Sequence, residues 1–170
     1  DFYNQIKLAS QLFVGVTDGT LSHGEGWHFV RLGRLLERAD KTSRILDVKT
    51  YGWKRDPQPG DVQQTVIQGR PHNLIHELLD REFPRSLRYC LRFGEDSLRV
   101  LTGSTAGTFA NRAEQLLGRL RSGLDYTNID DVLSDTLHTY VDRLQISLNE
   151  IGDAIRECYF AAPSKEMTMA

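Results

Sequence analysis

From Gly26 the chain alternates apolar and charged residues with a period close to one helical turn: Gly26-Trp-His-Phe-Val-Arg-Leu-Gly-Arg-Leu-Leu-Glu-Arg-Ala-Asp-Lys-Thr-Ser-Arg-Ile-Leu-Asp-Val48. At about 100° per residue, Phe29, Leu32, Leu35, Leu36, Ala39, Ser43 and Leu46 fall within roughly a third of the circumference. Arg31, Arg34, Glu37, Arg38, Lys41 and Arg44 fall opposite them. The pattern predicts one long helix over residues 25–49, with an apolar stripe turned to a core and a stripe of five cations and one carboxylate turned away from it. Glu37 to Lys41 and Asp40 to Arg44 are favourable pairs at i,i+4.

The same reading extends along the chain. Phe2, Ile6, Ala9, Phe13 and Val16 share a helical face, with Asp18-Gly19 as a stop and residues 20–26 as a loop. Pro57, Pro59, Gly60 and Gly69 interrupt any regular element over residues 51–70, where 61–68 reads as a short helix or a disordered connection. Pro71 suits the first turn of a helix reaching Asp80, with Leu74, Ile75, Leu78 and Leu79 inward. Phe83-Pro84 breaks it, and Pro84 starts a helix whose buried line is Leu87, Leu91, Gly94, Leu98 and Leu101. Residues 103–107 form a small-residue loop. Ala113, Leu116, Leu117, Leu120 and Leu124 mark a further helix.

Leu133, Leu137, Tyr140, Leu144, Leu148, Ile151, Ile155 and Cys158 then alternate in steps of four and three, the spacing of bundle packing. Thr127 or Asn128 caps this last helix, with Asp130 and Asp131 in its first turn. No strand of useful length is visible. The expectation is an all-α, up-down bundle of six or seven helices, a single domain over residues 1–163 with a loose tail over 164–170. Its helical faces also leave self-association open.

Composition narrows the function classes. With 170 residues, net charge −2 and pI near 6.2, the chain lacks the gross positive charge that nucleic acid or an anionic membrane attracts. No apolar run approaches the ~18 residues of a membrane span. Two cysteines far apart, Cys90 and Cys158, give no disulfide framework and fit a reducing cytoplasm. Sixteen of the 21 basic residues are Arg. Arg makes planar two-point contacts with carboxylates and phosphates where Lys does not.

Each candidate site has a chemical and a plain reading. In the charged stripe, Arg31, Arg34, Arg38 and Arg44 hold a phosphate or carboxylate with Glu37 aligning one guanidinium, or they pair with carboxylates of other helices such as Glu77, Asp80 or Glu82. Asp40 and Asp47 lie at the edge of the apolar face, with Arg44 between them. Arg85, Arg88 and Arg92 share a face at the start of a helix, which suits an anion at a helix N-terminus or a solvated basic surface. His72 and His76, at i,i+4, match two ligands of a metal site, but no third ligand stands out and surface histidines are the plainer reading, so no metal or cofactor is expected. Gly103-Ser-Thr-Ala-Gly107 lacks the Gly-Lys-Ser/Thr of a phosphate loop. Cys90 and Cys158 read as packing residues.

Two segments go further. Leu32-Gly-Arg-Leu-Leu-Glu-Arg-Ala-Asp-Lys-Thr-Ser-Arg-Ile-Leu-Asp47, with Glu37-Arg38 at its centre, resembles the bacterial alpha-E domain. Glu77-Leu-Leu-Asp-Arg-Glu-Phe-Pro-Arg-Ser-Leu-Arg-Tyr-Cys90 is similar to a later segment of that family. The resemblance implies a helical domain whose members carry an earlier helix with its own Glu-Arg motif, so the chain is expected to be the C-terminal part of a longer domain. It also implies company: ATP-grasp proteins and transglutaminase-like peptidases, in systems that form or modify peptide or amide bonds. The expected role is a binding or accessory component without catalysis of its own. The alternatives are an enzyme with Glu37 or Asp40 as general base and Arg as substrate clamp, and a purely structural module in which Glu37-Arg38 fixes a helix crossing. Five adjacent cations depress a carboxylate pKa, which argues against Glu37 as a base.

Overall fold

Leu32, Leu35, Ala39, Ser43 and Leu46 are buried along one side of a single long helix, as their spacing predicts. That helix is the spine of the fold in a computed structural model, which describes residues 2–51, 78–128, 131 and 137–161. All regular structure among the described residues is helical. Five helices are present there: α1 (Phe2–Thr20), α2 (Glu25–Tyr51), α3 (Leu87–Thr102), α4 (Arg112–Tyr126) and α5 (Leu137–Tyr159). The wider expectation of six or seven also drew on residues 61–68 and 71–77, which lie outside the described residues, as does the expected loose tail over 164–170; Leu78 and Leu79, near the expected end of the 71–80 helix, are helical and buried.

Four of the helices close a ring: α2 packs on α3 and α5, and α4 packs on α3 and α5. The centre is aliphatic. Leu32, Leu87, Leu91, Leu98, Leu117, Leu124, Val141 and Ile151 are essentially inaccessible, each worth about 1.5–3 kcal/mol for the surface it removes from water. Gly94 faces Leu32 and Leu117 at ordinary contact distance, letting α3 lie close to α2 and α4.

Helix α1 forms where the apolar spacing places it and runs to Thr20, past the expected stop at Asp18-Gly19. It is not part of the ring. None of its residues is buried, and Phe2, Ile6, Leu12, Phe13 and Val16 are all exposed.

Helix α3 does not start at Pro84. Its cap is Ser86, whose Oγ accepts from Tyr89 N–H at 3.0 Å. Phe83 to Ser86 is instead a turn, closed by Ser86 N–H to Phe83 O at 2.9 Å. The Asp80 carboxylate anchors it by accepting from the N–H groups of Glu82 (2.7 Å) and Phe83 (2.9 Å). A serine side chain satisfies an orphan helix donor, which proline leaves unmet, so the helix begins one turn later than the proline suggests. Gly103 ends α3 in the left-handed region, φ 71°, where an L side chain is strained.

At the start of the last segment Asn128 and Asp131 bond reciprocally, each side chain accepting the other's backbone N–H at 2.8–3.0 Å. Asn128 is one of the two caps expected for the last helix, but among the described residues that helix starts nine positions on, at Leu137. Along α5, Val141, Leu144, Leu148, Ile151, Ala154 and Ile155 are buried, but Cys158 is exposed. A straight helix drifts about 20° per heptad from a 3.5-residue seam, so a line set at the buried Leu144 has rotated off the core two heptads later at Cys158.

Candidate functional site

Arg31, Arg34 and Arg38 stand at i, i+3 and i+7 of α2, one line on the helix, and all three are half-buried. They line an open recess of about 320 Å³ together with Trp27 and Leu35 of α2, Tyr89 and Phe93 of α3, and Asp18 of α1. Aromatic rings make its walls. The Arg31 guanidinium lies 5.1 Å from the Trp27 ring and 5.3 Å from the Phe93 ring, a two-sided cation–π contact. Tyr89 and Phe93 are themselves in ring contact at 4.3 Å, and His23 stacks on Trp27 at 4.2 Å.

Charge in the recess is unbalanced. Arg34 Nη1 reaches Asp18 Oδ1 at 3.4 Å, and Arg38 Nη1 donates to the carbonyl of Pro84 at 2.9 Å. Arg31 has no carboxylate within ion-pair distance among the described residues. Three guanidiniums therefore face one carboxylate. Trp27 Nε1–H is shielded from solvent and meets no acceptor among the described residues. His28, beside Arg31, has its pKa lowered by burial first, then by the charges of Arg31 and His23. Its neutral ring adds no further charge at neutral pH.

The other expected site residues lie elsewhere. Glu37 is exposed, one position from Arg38 but not in the recess, and it forms neither hydrogen bond nor ion pair among the described residues. The expected Glu37–Lys41 pair is absent: Lys41 leans on Asp40 at 3.8 Å. Asp40 is held within its own helix turn by Arg44, Nε to Oδ2 at 2.8 Å. That bond raises the pKa of the solvent-exposed Arg44. Neither Asp40 nor Arg44 reaches the recess. Arg85 is exposed; only its carbonyl is used, accepting from Thr42 Oγ1 at 3.1 Å.

Arg88 is neither a solvated residue nor part of an anion site. Its side chain is 11% exposed, donating to the carbonyls of Leu79 (3.0 Å) and Leu124, with Asp125 Oδ1 at 3.4 Å from Nε. Burial against the end of α4 turns it into a strut, which helical spacing with Arg85 and Arg92 gave no means of seeing.

Sequence reasoning missed the aromatic half of the recess. The signal was present in two i,i+4 pairs, Trp27 with Arg31 and Tyr89 with Phe93, which place each pair on one helix face. It also missed an ionic cluster around a buried carboxylate between α3 and α4. Glu95, 4% exposed, accepts from Arg99 Nη2 at 2.7 Å and Arg121 Nε at 2.7 Å, and Arg121 continues to Asp125 at 2.5 Å. Gly118 gives Glu95 this room: a Cβ there would stand 3.4 Å from Oε1.

The two motifs singled out in the sequence thus meet in space, Arg38 on Pro84 and Thr42 on Arg85. The profile of one protein family, described as a predicted alpha-helical domain with a conserved ER motif, matches residues 1–68 and 70–160. The chain belongs to the alpha-E family. No curated protein and no solved structure matches it. In this alpha-E chain the Glu-Arg motif is Glu37-Arg38, and its two halves part company: the arginine enters the recess and the glutamate faces solvent. No described helix is long and apolar enough to cross a membrane.

Proposed function

We propose that the chain is a binding component rather than an enzyme, and that the recess of Arg31, Arg34 and Arg38 takes an anionic group. The observation that carries this reading is the excess of guanidinium over carboxylate in a half-buried, aromatic-walled recess. Charge-assisted bonds to carboxylate or phosphate are stronger where water is partly excluded, and arginine presents planar pairs of donors to either. The aromatic walls favour an anion carried on a flat or apolar body, which a peptide terminus or a nucleotide both offer.

The enzymatic alternative has less to support it. A general base needs a partner that orients it near the proton it takes. Glu37 has none among the described residues, and Asp40 is bound to Arg44 outside the recess. The structural alternative has one specific observation in its favour, the Arg38 bond to Pro84 O, which ties α2 to the turn before α3. That bond uses one of the five N–H donors of a guanidinium, so structural and binding roles coexist in Arg38.

In the cell we place this binding role in an ATP-grasp-linked system that forms or modifies peptide or amide bonds, alongside a transglutaminase-like peptidase. This rests on the family's company alone. The test is calorimetric titration of the chain against the ATP-grasp protein of the same genome, with and without ATP. The expected result is micromolar or tighter binding, weakened at least ~10-fold by Arg31→Ala and unchanged by Arg44→Ala. Binding indifferent to Arg31, Arg34 and Arg38 overturns the site. Sustained turnover of ATP or a peptide by the chain alone, lost in Glu37→Gln, overturns the non-catalytic reading.

A further inference from the structure

Near the C-terminal end of α2, away from the arginine recess, an imidazole stands between two carboxylates from different directions. His138 Nδ1 lies 2.6 Å from Asp47 Oδ1, and His138 Nε2 lies 3.4 Å from Asp142 Oδ2. Asp47 belongs to α2, whereas His138 and Asp142 are one turn apart on α5. One ligand atom from each residue can be chosen so that all lie within 4.8 Å of one another. Arg31 and Asp47 are separated by roughly 24 Å of helix at 1.5 Å per residue, so this cluster is separate from the recess.

We propose that Asp47, His138 and Asp142 bind one divalent transition-metal ion of the zinc class across the α2–α5 contact. Ligand distances of about 2.0–2.2 Å from such an ion require donor atoms about 3–4 Å apart. The two carboxylates face different nitrogens of the ring, so the ion takes Nε2 with Asp142 and the Asp47 carboxylate turns from Nδ1 to reach it. The donor set is one nitrogen and carboxylate oxygen without sulfur. Imidazole with carboxylate suits zinc, manganese or cobalt; the all-oxygen shells of calcium and magnesium do not match it. The two carboxylates bring the negative charge that a divalent ion attracts. The three side chains are 25%, 35% and 49% exposed, so the site opens to solvent and leaves a coordination position for water or a ligand.

The pairing of a helix-spaced His and Asp with one Asp from a distant helix bridges two members of the ring. A bound ion therefore also fastens α5 to α2, because it binds the folded arrangement and not the separated residues.

The experiment uses the full chain, stripped of metal with a chelator and titrated with Zn²⁺ alone by calorimetry, with Co²⁺ absorption as a second readout. The expected result is one ion per chain at micromolar or tighter affinity and a rise in Tm on adding Zn²⁺. His138→Gln is expected to weaken binding at least ~100-fold and Asp142→Asn at least ~10-fold, whereas the double variant His72→Gln/His76→Gln leaves it unchanged. Asp142 is half-exposed, so its variant reports on the site even if His138→Gln disturbs the fold. No saturable binding below about 1 mM, or binding that Asp142→Asn leaves unaltered, overturns the proposal. Loss of binding in the His72/His76 variant overturns it equally.

Discussion

Arg38 donates to the carbonyl oxygen of Pro84 at 2.9 Å, across 46 residues of sequence. One turn along, Thr42 does the same to Arg85 at 3.1 Å. The Glu-Arg helix and the Phe-Pro-Arg-Ser turn are thus joined by side chains of one and backbone of the other. The turn's own side chains contribute elsewhere: Ser86 caps α3 and bonds Asp80 O, and Arg85 is solvated.

Arg38→Ala removes that bond and one wall of the recess. A bond from a charged donor is worth about 1.5–3 kcal/mol, and exposure at this surface puts the loss at the lower end. The expected fall in Tm is ~3–6 °C, at about 2–4 °C per kcal/mol for a chain of this size, measured by thermal denaturation. Arg38→Lys recovers only part of it, since an ammonium offers no planar pair of donors.

Glu37→Ala, by contrast, is expected to leave stability within about 0.5 kcal/mol of the parent, the range for a surface residue without special contacts. The structural reading of the motif from sequence expects a drop of several degrees, because it assumes that the glutamate neutralises a buried guanidinium. Differential scanning calorimetry of the purified variant separates the two: an unshifted Tm agrees with an exposed Glu37 that has no partner among the described residues, and a clear drop contradicts it.

Arg88 is where the larger loss is expected. Its buried guanidinium satisfies carbonyls at Leu79 and Leu124 and meets Asp125. Arg88→Ala leaves those acceptors unpaired and opens a gap, costing about 3 kcal/mol or more and ~6–12 °C in Tm. Arg88→Met refills the gap without restoring the bonds. Equal stability of the methionine variant and the parent in urea titration would show that packing, not hydrogen bonding, is what Arg88 provides.

The two thiols should behave differently. Cys90 is buried, and burial raises its pKa from 9.0 to about 11, against a smaller opposite pull from the charge of Arg38. Cys158 is exposed. A colorimetric thiol reagent is expected to titrate one thiol at once in the native chain and the second only on unfolding. The raised value also has a pH consequence. The protonated thiol is favoured by the fold, so its contribution is fully present below pH 9.0 and is lost as pH rises through about 11. Over that window Tm is expected to fall more steeply in the parent than in Cys90→Ala.

What could be read from the sequence was local. The 3.6-residue period of α2 identifies Leu32, Leu35, Ala39, Ser43 and Leu46 as its buried side because a helix face is set by neighbours within a few turns. The same period puts Arg31, Arg34 and Arg38 on a line. It does not reveal that Tyr89 and Phe93, from a helix more than 50 residues on, complete the recess. It treats Arg38 and Arg44 alike, although one reaches across to α3's turn and the other folds back on Asp40. Asp47 and His138 are 91 residues apart and carry no spacing signature. Glu95 and Glu114 read as ordinary polar positions of amphipathic helices. Only the tertiary packing shows that one takes two arginines and the other turns back to Ala110 N–H and Ser104.

The Glu95 cluster limits how this family member can change over generations. Removing one partner of a buried charge cluster costs about 3–5 kcal/mol, while exchanging the whole cluster for well-packed apolar side chains is often neutral. Arg99 and Arg121 approach the same carboxylate, and Arg121 also holds Asp125, which in turn meets Arg88. Each single step away from this arrangement is therefore uphill, although a distant endpoint lies level with it. Once assembled, such a cluster is held in place by the ruggedness of the path out as much as by any advantage of its own.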